Sequence, residues 1–295
     1  MSVRRPTEAE APAVADLIAA LERHFLGRPE MNASDLLDEW RELNLANDTW
    51  LIELDGRPAG YAALHTKRHT FVDAYVHPNA FGRGIGSQLV ELTEEEARRR
   101  GITLLRNGVM EKDERAHALL EARGYRIVRR FYRMAIELDA PPPPAWPQGL
   151  RPFRYDPREA RAFHAALEEA FADHWGHRPE SFEDWRRRVL EAPDVDTTVW
   201  WAVKQGDEIA AAAICDVERY GVGWIGLMGV RKQWRRRGLG LALLRHCFSE
   251  LYARGQRTVG LGVEAENPTG ATRLDERADM QVAFAHVVYE KQLGV

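Results

Sequence analysis

The stretch Gln233–Leu244, Q-W-R-R-R-G-L-G-L-A-L-L, carries the clearest chemistry in the chain. An apolar run, Trp224–Val230, precedes it, and Leu241, Leu244, Phe248 and Leu251 follow at the spacing of one helix face. The order is therefore strand, basic glycine loop, helix. Gly238 and Gly240 place no side chain between the backbone and a ligand. The N–H groups of a helix's first turn lack intrahelical acceptors, and the helix dipole favours negative charge there. Arg235, Arg236 and Arg237 add positive charge. The chemistry implied is capture of a phosphate or pyrophosphate.

The elements that must position this loop occur twice. Val76-His77-Pro78 followed by Gly82-Arg83-Gly84-Ile85-Gly86 precedes Val230-Arg231-Lys232 followed by Arg236–Gly240 at one constant offset. The same offset relates Gly101–Val109 to Gly255–Val263, and one residue more relates Leu119-Leu120-Glu121 to Leu274-Asp275-Glu276. Ordered blocks at one spacing predict two copies of a fold. Between them Asp139–Pro147, D-A-P-P-P-P-A-W-P, reads as a stiff linker, since four successive prolines continue neither a helix nor a central strand. The expected division is residues 1–138, a linker at 139–148, and residues 149–295.

Each copy predicts the same plan. In the first, Thr7 with Glu10 caps a helix to about Leu26, Ser34 caps a second, and strands at Thr49–Leu54, Ala59–His65 and Thr70–Val76 lead into the loop. A helix, a strand Thr103–Val109, a helix Arg115–Ala122 and a strand Arg126–Glu137 follow. The second copy repeats this from Leu150, with helices Pro157–Ala172 and Ser181–Leu190, and ends on the strand Gln281–Glu290. Several strands in succession before the loop predict a mixed α+β sheet flanked by helices, two domains in tandem. A dinucleotide-binding Rossmann fold would alternate strand and helix from its start.

Composition narrows the classes. Of 295 residues, 45% are apolar and 29% charged, as in ordinary globular proteins. The formal charge of −4 offers no basic field for nucleic acid. Two cysteines, Cys215 and Cys247, build no disulfide framework, and no secretory h-region or membrane-length apolar run is present, so the reading is a cytoplasmic protein, monomer or homodimer, with no membrane partner. The ten histidines show no metal-ligand spacing, so no metal is expected.

The residues resemble the GNAT N-acetyltransferase superfamily, once per half. Arg235-Arg236-Arg237-Gly238-Leu239-Gly240 matches that family's acetyl-CoA motif, Q/R-x-x-G-x-G/A, between strand and helix. Glu264–Ala271 resembles the segment that sets an Asn, here Asn267, beside the coenzyme, and Leu274–Met280 resembles the L-Y-E-x-x-G-F block. Two such domains in one chain also resemble mycothiol synthase-like actinobacterial acetyltransferases. The resemblance implies acetyl-CoA as cosubstrate, held along Met228, Gly229 and Val230 and at the glycine loop, with Val76, Arg83, Gly84 and Gly86 as the first-copy counterparts. It implies an N–H near Met228 as oxyanion donor, worth about 3 kcal/mol in other enzymes. The acceptor would be the primary amine of a small metabolite, attacking directly in a ternary complex.

The match is broken at informative places. The family's acidic Tyr falls at Asp275 in the second copy and Leu120 in the first; Leu cannot donate a proton, and Asp could only if burial raised its pKa. Asp279 stands where Gly is usual, which is tolerable at positive φ. The first copy has Phe81 at the motif's first position and Asp113 for the Asn, yet keeps Asp73 where relatives carry a carboxylate, a candidate substrate contact. The second copy is therefore the expected catalytic half. Its acceptor contacts are expected at Asp173, His174 and Trp175, with Glu218, Asp216 or Glu264 as candidate base. Loss of Tyr from both copies leaves a non-catalytic coenzyme-binding protein as the alternative.

Overall fold

The structure is a computed structural model that describes residues 1–67, 70–193, 195–266 and 270–294. In chain order it runs β1 (Ser2–Arg4), α1 (Ala11–Leu26), α2 (Ala33–Trp40), α3 (Leu45–Asp48), β2 (Thr49–Leu54), β3 (Arg57–His65), β4 (Phe71–Val76), α4 (Ile85–Arg99), β5 (Leu104–Met110), α5 (Glu114–Ala122) and β6 (Arg126–Glu137). It continues β7 (Arg151–Arg154), α6 (Ala160–Phe171), α7 (Phe182–Trp185), β8 (Trp201–Gln205), β9 (Glu208–Arg219), β10 (Val222–Val230), α8 (Leu239–Ala253), β11 (Thr258–Glu264), α9 (Ala271–Arg277) and β12 (Gln281–Gln292). The mixed sheets and flanking helices are those expected. Among the described residues no helix is long and apolar enough to cross a membrane.

Two compact units form, but they are not the linear halves on either side of 139–148. One comprises Met1–Phe131 with Phe284–Val295, the other Tyr132–Ala283. Within the first the strand order is β1-β2-β3-β4-β5-β12; within the second it is β6-β11-β10-β9-β8-β7. The chain's last strand thus serves the first unit, running antiparallel to β5 from His286 opposite Met110 to Gln292 opposite Leu104. The end of β6 serves the second, where Leu138 N–H donates to Arg257 O at 2.7 Å and Thr258 Oγ1 bonds Glu137. The edges of β5 and β11 each need a strand to pair their backbone groups. A strand's pattern says that it pairs, not which of two alike edges it joins. The proline segment is no free spacer, since Trp146 packs on the second unit's core with its ring 5.6 Å from His246.

Each core has its own filling. In the first unit α4 covers β2–β4 through Ile85, Leu89 and Val90, and β12 adds Val287 and Tyr289. The second is built on the buried alanine run Ala210–Ala213 of β9, with Phe163 of α6, Trp200 and Phe248 of α8 in the same core. Local signals mostly held. Glu10 Oε2 accepts Thr7 N–H at 2.9 Å, and Ser181 Oγ accepts Asp184 N–H at 3.1 Å. The second helix of the first copy is capped by Asn32 rather than Ser34, its Oδ1 accepting from Ser34 and Asp35. Asn and Ser are comparable caps, and the earlier one gains a reciprocal bond from Asn32 N–H to Asp35.

Tyr289 is fully buried, and its hydroxyl contacts His117 Nδ1 at 2.7 Å and Glu121 at 3.0 Å. Tyr289→Ala is expected to lower unfolding free energy by about 3–5 kcal/mol, read from the denaturant midpoint, although it lies near the end of the opposite copy in sequence.

Candidate active site

The second unit opens its sheet at one place. The β9–β10 ladder pairs Ile225 with Cys215 and then Leu227 with Ile214, so β10 carries one residue more, Gly226, than its partner. Such a bulge bends and twists the strand that holds it. On the other side, β10 and β11 run parallel through Gly223–Val259, Trp224–Gly260 and Ile225–Leu261. Among the described residues the ladder ends there, while β10 continues to Val230 and β11 to Glu264. β10 is buried through Ile225, then becomes exposed at Gly226 and half-buried from Leu227 to Val230. On the facing strand Gly262 is exposed, and a Cβ built there would meet nothing within 4 Å. Met228, Gly229 and Val230 thus lie on β10 beyond the end of its ladder with β11.

The glycine loop closes the wide end. Gly238, at φ +80°, turns the chain into α8, whose first backbone bond is Ala242 N–H to Gly238 O at 3.1 Å. The N–H groups of Leu239, Gly240 and Leu241 therefore head the helix without intrahelical acceptors. Arg236 and Arg237 are exposed beside them. Arg235 is committed elsewhere: its guanidinium donates to Val230 O at 3.0 Å and Ala170 O at 2.9 Å, and approaches Asp173 at 3.4 Å. It fastens the loop to the end of α6. In the first unit Phe81 does the same work by packing on His24 and Phe25 at the end of α1.

Two glycines expected to clear space for a ligand instead clear space for the protein. A Cβ on Gly240 would lie 2.7 Å from Leu274 Cδ1, and one on Gly86 3.2 Å from Leu119 Cδ2. Gly229 is held by the approach of α6, where a Cβ would come 2.6 Å from Ala170 Cβ. Arg236 has φ +62° at the position where the first copy has Gly82 at +74°. A non-glycine residue there costs about 1 kcal/mol. Asp279, at φ +67°, meets the positive-φ expectation and matches Gly124 at +82°.

The acceptor-side residues separate. Asp173 bonds Lys232 Nζ at 2.9 Å, and this bond, with Arg235 adding to it, holds its carboxyl below the usual range. It ties two loops together rather than offering a free carboxylate to substrate. Trp175 is half-buried, and its carbonyl oxygen lies 3.0 Å from His174 Nδ1. The other imidazole nitrogen lies 4.0 Å from Oε2 of buried Glu264, a pairing that residue types alone did not reveal. Glu218 is exposed at the hairpin end of β9, beside the paired part of β10, whereas Asp216, opposite Trp224, has its Oδ2 within 3.8 Å of where a Cβ on Gly226 would stand. Asp275 is 3% exposed on α9, and burial, with the charge of Glu276 adding, raises its pKa to about 7. Its first-copy counterpart Leu120 is equally buried. Asn267 lies outside the described residues.

The first unit repeats the frame without the bulge: among the described residues its β4–β5 ladder also ends early, at Val72–Asn107, while β4 runs to Val76 and β5 to Met110. Its β3–β4 ladder runs unbroken from Gly60–Val76 to His65–Phe71, with no added residue. Phe71 fills the space over Gly108 of β5, where a Cβ would lie 2.9 Å from its ring. Gly84, at φ +80°, still leads into α4, with Arg83 exposed and Val76 at the end of β4. Asp73 Oδ2 sits 3.0 Å from His65 Nε2. Burial lowers the pKa of His65, but the contact and charge of Asp73 outweigh it and the net shift is upward. Both residues face a cleft of about 500 Å³ shared with Glu39, Glu42 and Lys67.

A sheet that parts at a bulge beside a glycine-headed helix defines an acetyl-CoA-dependent acyltransferase, here with the domain in tandem. The family model described as Acetyltransferase (GNAT) family matches residues 14–125 and 160–274, and the chain belongs to that family. It is similar to the mycothiol acetyltransferase of Thermobispora bispora, 29% identical with 79% of this chain and 80% of that protein covered. The mycothiol acetyltransferase of Catenulispora acidiphila is 27% identical over 98% and 97%. Among solved structures, a GCN5-related N-acetyltransferase from Sphaerobacter thermophilus superposes with a TM-score of 0.88 at 36% identity, covering 100% of this chain and 96% of that one. A tandem GNAT protein from the clavulanic acid biosynthesis pathway shares the fold, with a TM-score of 0.74 at 18% identity over 100% and 99%.

Two outcomes test this geometry. Arg236→Gly is expected to raise stability by about 1 kcal/mol while weakening acetyl-CoA binding, read by thermal melt and titration calorimetry. For Asp275, the folded pKa of about 7 exceeds the unfolded value near 3.9. The native state therefore holds a proton that the unfolded chain has lost between about pH 4 and 7, and stability falls as pH rises through that window. Asp275→Leu, which copies Leu120, is expected to remove that slope and raise the melting temperature at pH 8.

Proposed function

We propose that the chain is an N-acetyltransferase whose second unit is catalytic and moves the acetyl group of acetyl-CoA to the primary amine of a small metabolite by direct attack in a ternary complex. The observation that carries this is the contrast between the two splays: β10 and β11 part beside Gly226 and the open Gly262, while Phe71 fills the corresponding space in the first unit. The names of the two relatives make a mycothiol-related amine the first acceptor to test.

The backbone edge of Gly226–Val230 holds the pantetheine arm as an added strand, which fixes the thioester against the bulge. A backbone N–H at Met228 donates to the carbonyl oxygen as negative charge develops there, at a benefit of about 3 kcal/mol. The head of α8 with Arg236 and Arg237 binds the pyrophosphate. Asp275, protonated near neutrality, donates to the departing sulfur. The first unit supports the fold and keeps a glycine loop for a phosphate.

Release of free CoA over a panel of primary amines, alongside calorimetric acetyl-CoA binding, tests the reading. Amine-dependent release is expected; tight binding with no release from any amine would sink it. Asp275→Asn is expected to slow turnover about tenfold at pH 7, below the general range for an acid catalyst. The deficit should shrink above about pH 8.5, where a thiol leaves as thiolate unaided.

A further inference from the structure

We propose that His174 and Glu264 are the proton-accepting pair of the second unit, taking the proton of the incoming ammonium; this rests on the transferase reading above. Glu264 ends β11 two residues past the open Gly262, and side chains two apart share a strand face. It is 3% exposed, and its Oε2 lies 4.0 Å from His174 Nε2. His174 comes from the loop after α6, which Asp173 clamps to Lys232 and Arg235 and which Phe171 braces with its ring 5.9 Å from the imidazole. The pair thus joins the diverging end of β11 to the loop that borders the gap.

The imidazole's orientation decides its chemistry. Nδ1 lies 3.0 Å from the carbonyl oxygen of Trp175. A carbonyl only accepts, so Nδ1 carries the hydrogen of that bond. Nε2 is then the nitrogen that can accept a proton, and a proton taken there lies on the side of the Glu264 carboxylate, which favours an imidazolium. The half-exposed imidazole gives this nitrogen access to a substrate.

The atoms balance. An ammonium R–NH₃⁺ gives one proton to Nε2, and the freed nitrogen lone pair forms a C–N bond to the thioester carbonyl carbon. The C–S bond breaks as the tetrahedral carbon collapses, its electron pair leaves on sulfur, and Asp275 protonates that sulfur. The nitrogen sheds its second proton, which restores Asp275 through solvent, and His174 returns its own to water. The products are the amide, free CoA and one proton.

The test uses the full chain with His174→Gln and Glu264→Gln, and whichever amine of the panel the wild type acetylates. Each variant is expected to bind acetyl-CoA as the wild type does and to lose about 10²-fold in kcat/KM for the amine at pH 7. That deficit should close as pH passes the pKa of the amine, about 8 for an α-amine and about 10.4 for an alkylamine, because a free amine needs no base. A wild-type rate at pH 7 in both variants, or a loss constant across pH with weakened acetyl-CoA binding, overturns the assignment. No turnover by the wild type removes the transferase reading itself.

Discussion

The extra residue in β10 is the constraint on which the rest of the second unit depends. Gly226 has no partner on β9, and this bulge between Ile225 and Leu227 falls where the ladder of β10 with β11 ends. Beyond that point, among the described residues, Met228–Val230 have no ladder pairing with β11, and there is room over Gly262. In a continuous sheet these groups would satisfy one another and bind nothing. The first unit demonstrates the alternative. There the β3–β4 ladder is regular and the β4–β5 ladder also ends early, after Val72–Asn107, but Phe71 covers Gly108.

Around that opening the protein spends its polar groups on holding loops still. Arg235, first residue of the motif, is consumed by backbone carbonyls of β10 and α6. Asp173 is consumed by Lys232. Arg236 and Arg237 stay exposed beside the head of α8, and His174 Nε2 lies 4.0 Å from Glu264 Oε2. Motif residues therefore include ones that shape the protein itself. Gly240 and Gly86 are of this kind, since Leu274 and Leu119 take the space their side chains would need.

Asp275 shows how one position can serve either purpose. In the first copy Leu120 fills it as plain core. In the second a carboxyl occupies the same burial, at a cost that shifts its pKa to about 7. The strained φ of Arg236 is a similar departure: a cation is kept where glycine would be more comfortable. Both lie in the second copy, and neither departure occurs at the matching position of the first, where Gly82 and Leu120 stand. A stability cost at the site and none at its twin is what division of labour between duplicated domains would leave behind.

What the sequence determined by itself was everything local or repeated. The hydrophobic periods, the caps at Thr7 and Ser181, the glycine loops and the constant offset between copies are short-range patterns. They led to two α+β acetyltransferase domains and to the loop that heads α8. Even the need for burial at Asp275 was legible, because a carboxyl in place of a proton donor must be desolvated to act as one. Tertiary structure alone decided three matters. The destination of β12 and of the end of β6 depended on which edge lay open. The roles of Arg235, Gly240 and Asp173 depended on neighbours from distant elements. The meeting of His174 with Glu264, and the place of Glu218 at the hairpin end of β9, depended on how loop and strands pack together. Each is a relation between surfaces far apart in the chain, and no local pattern encodes it.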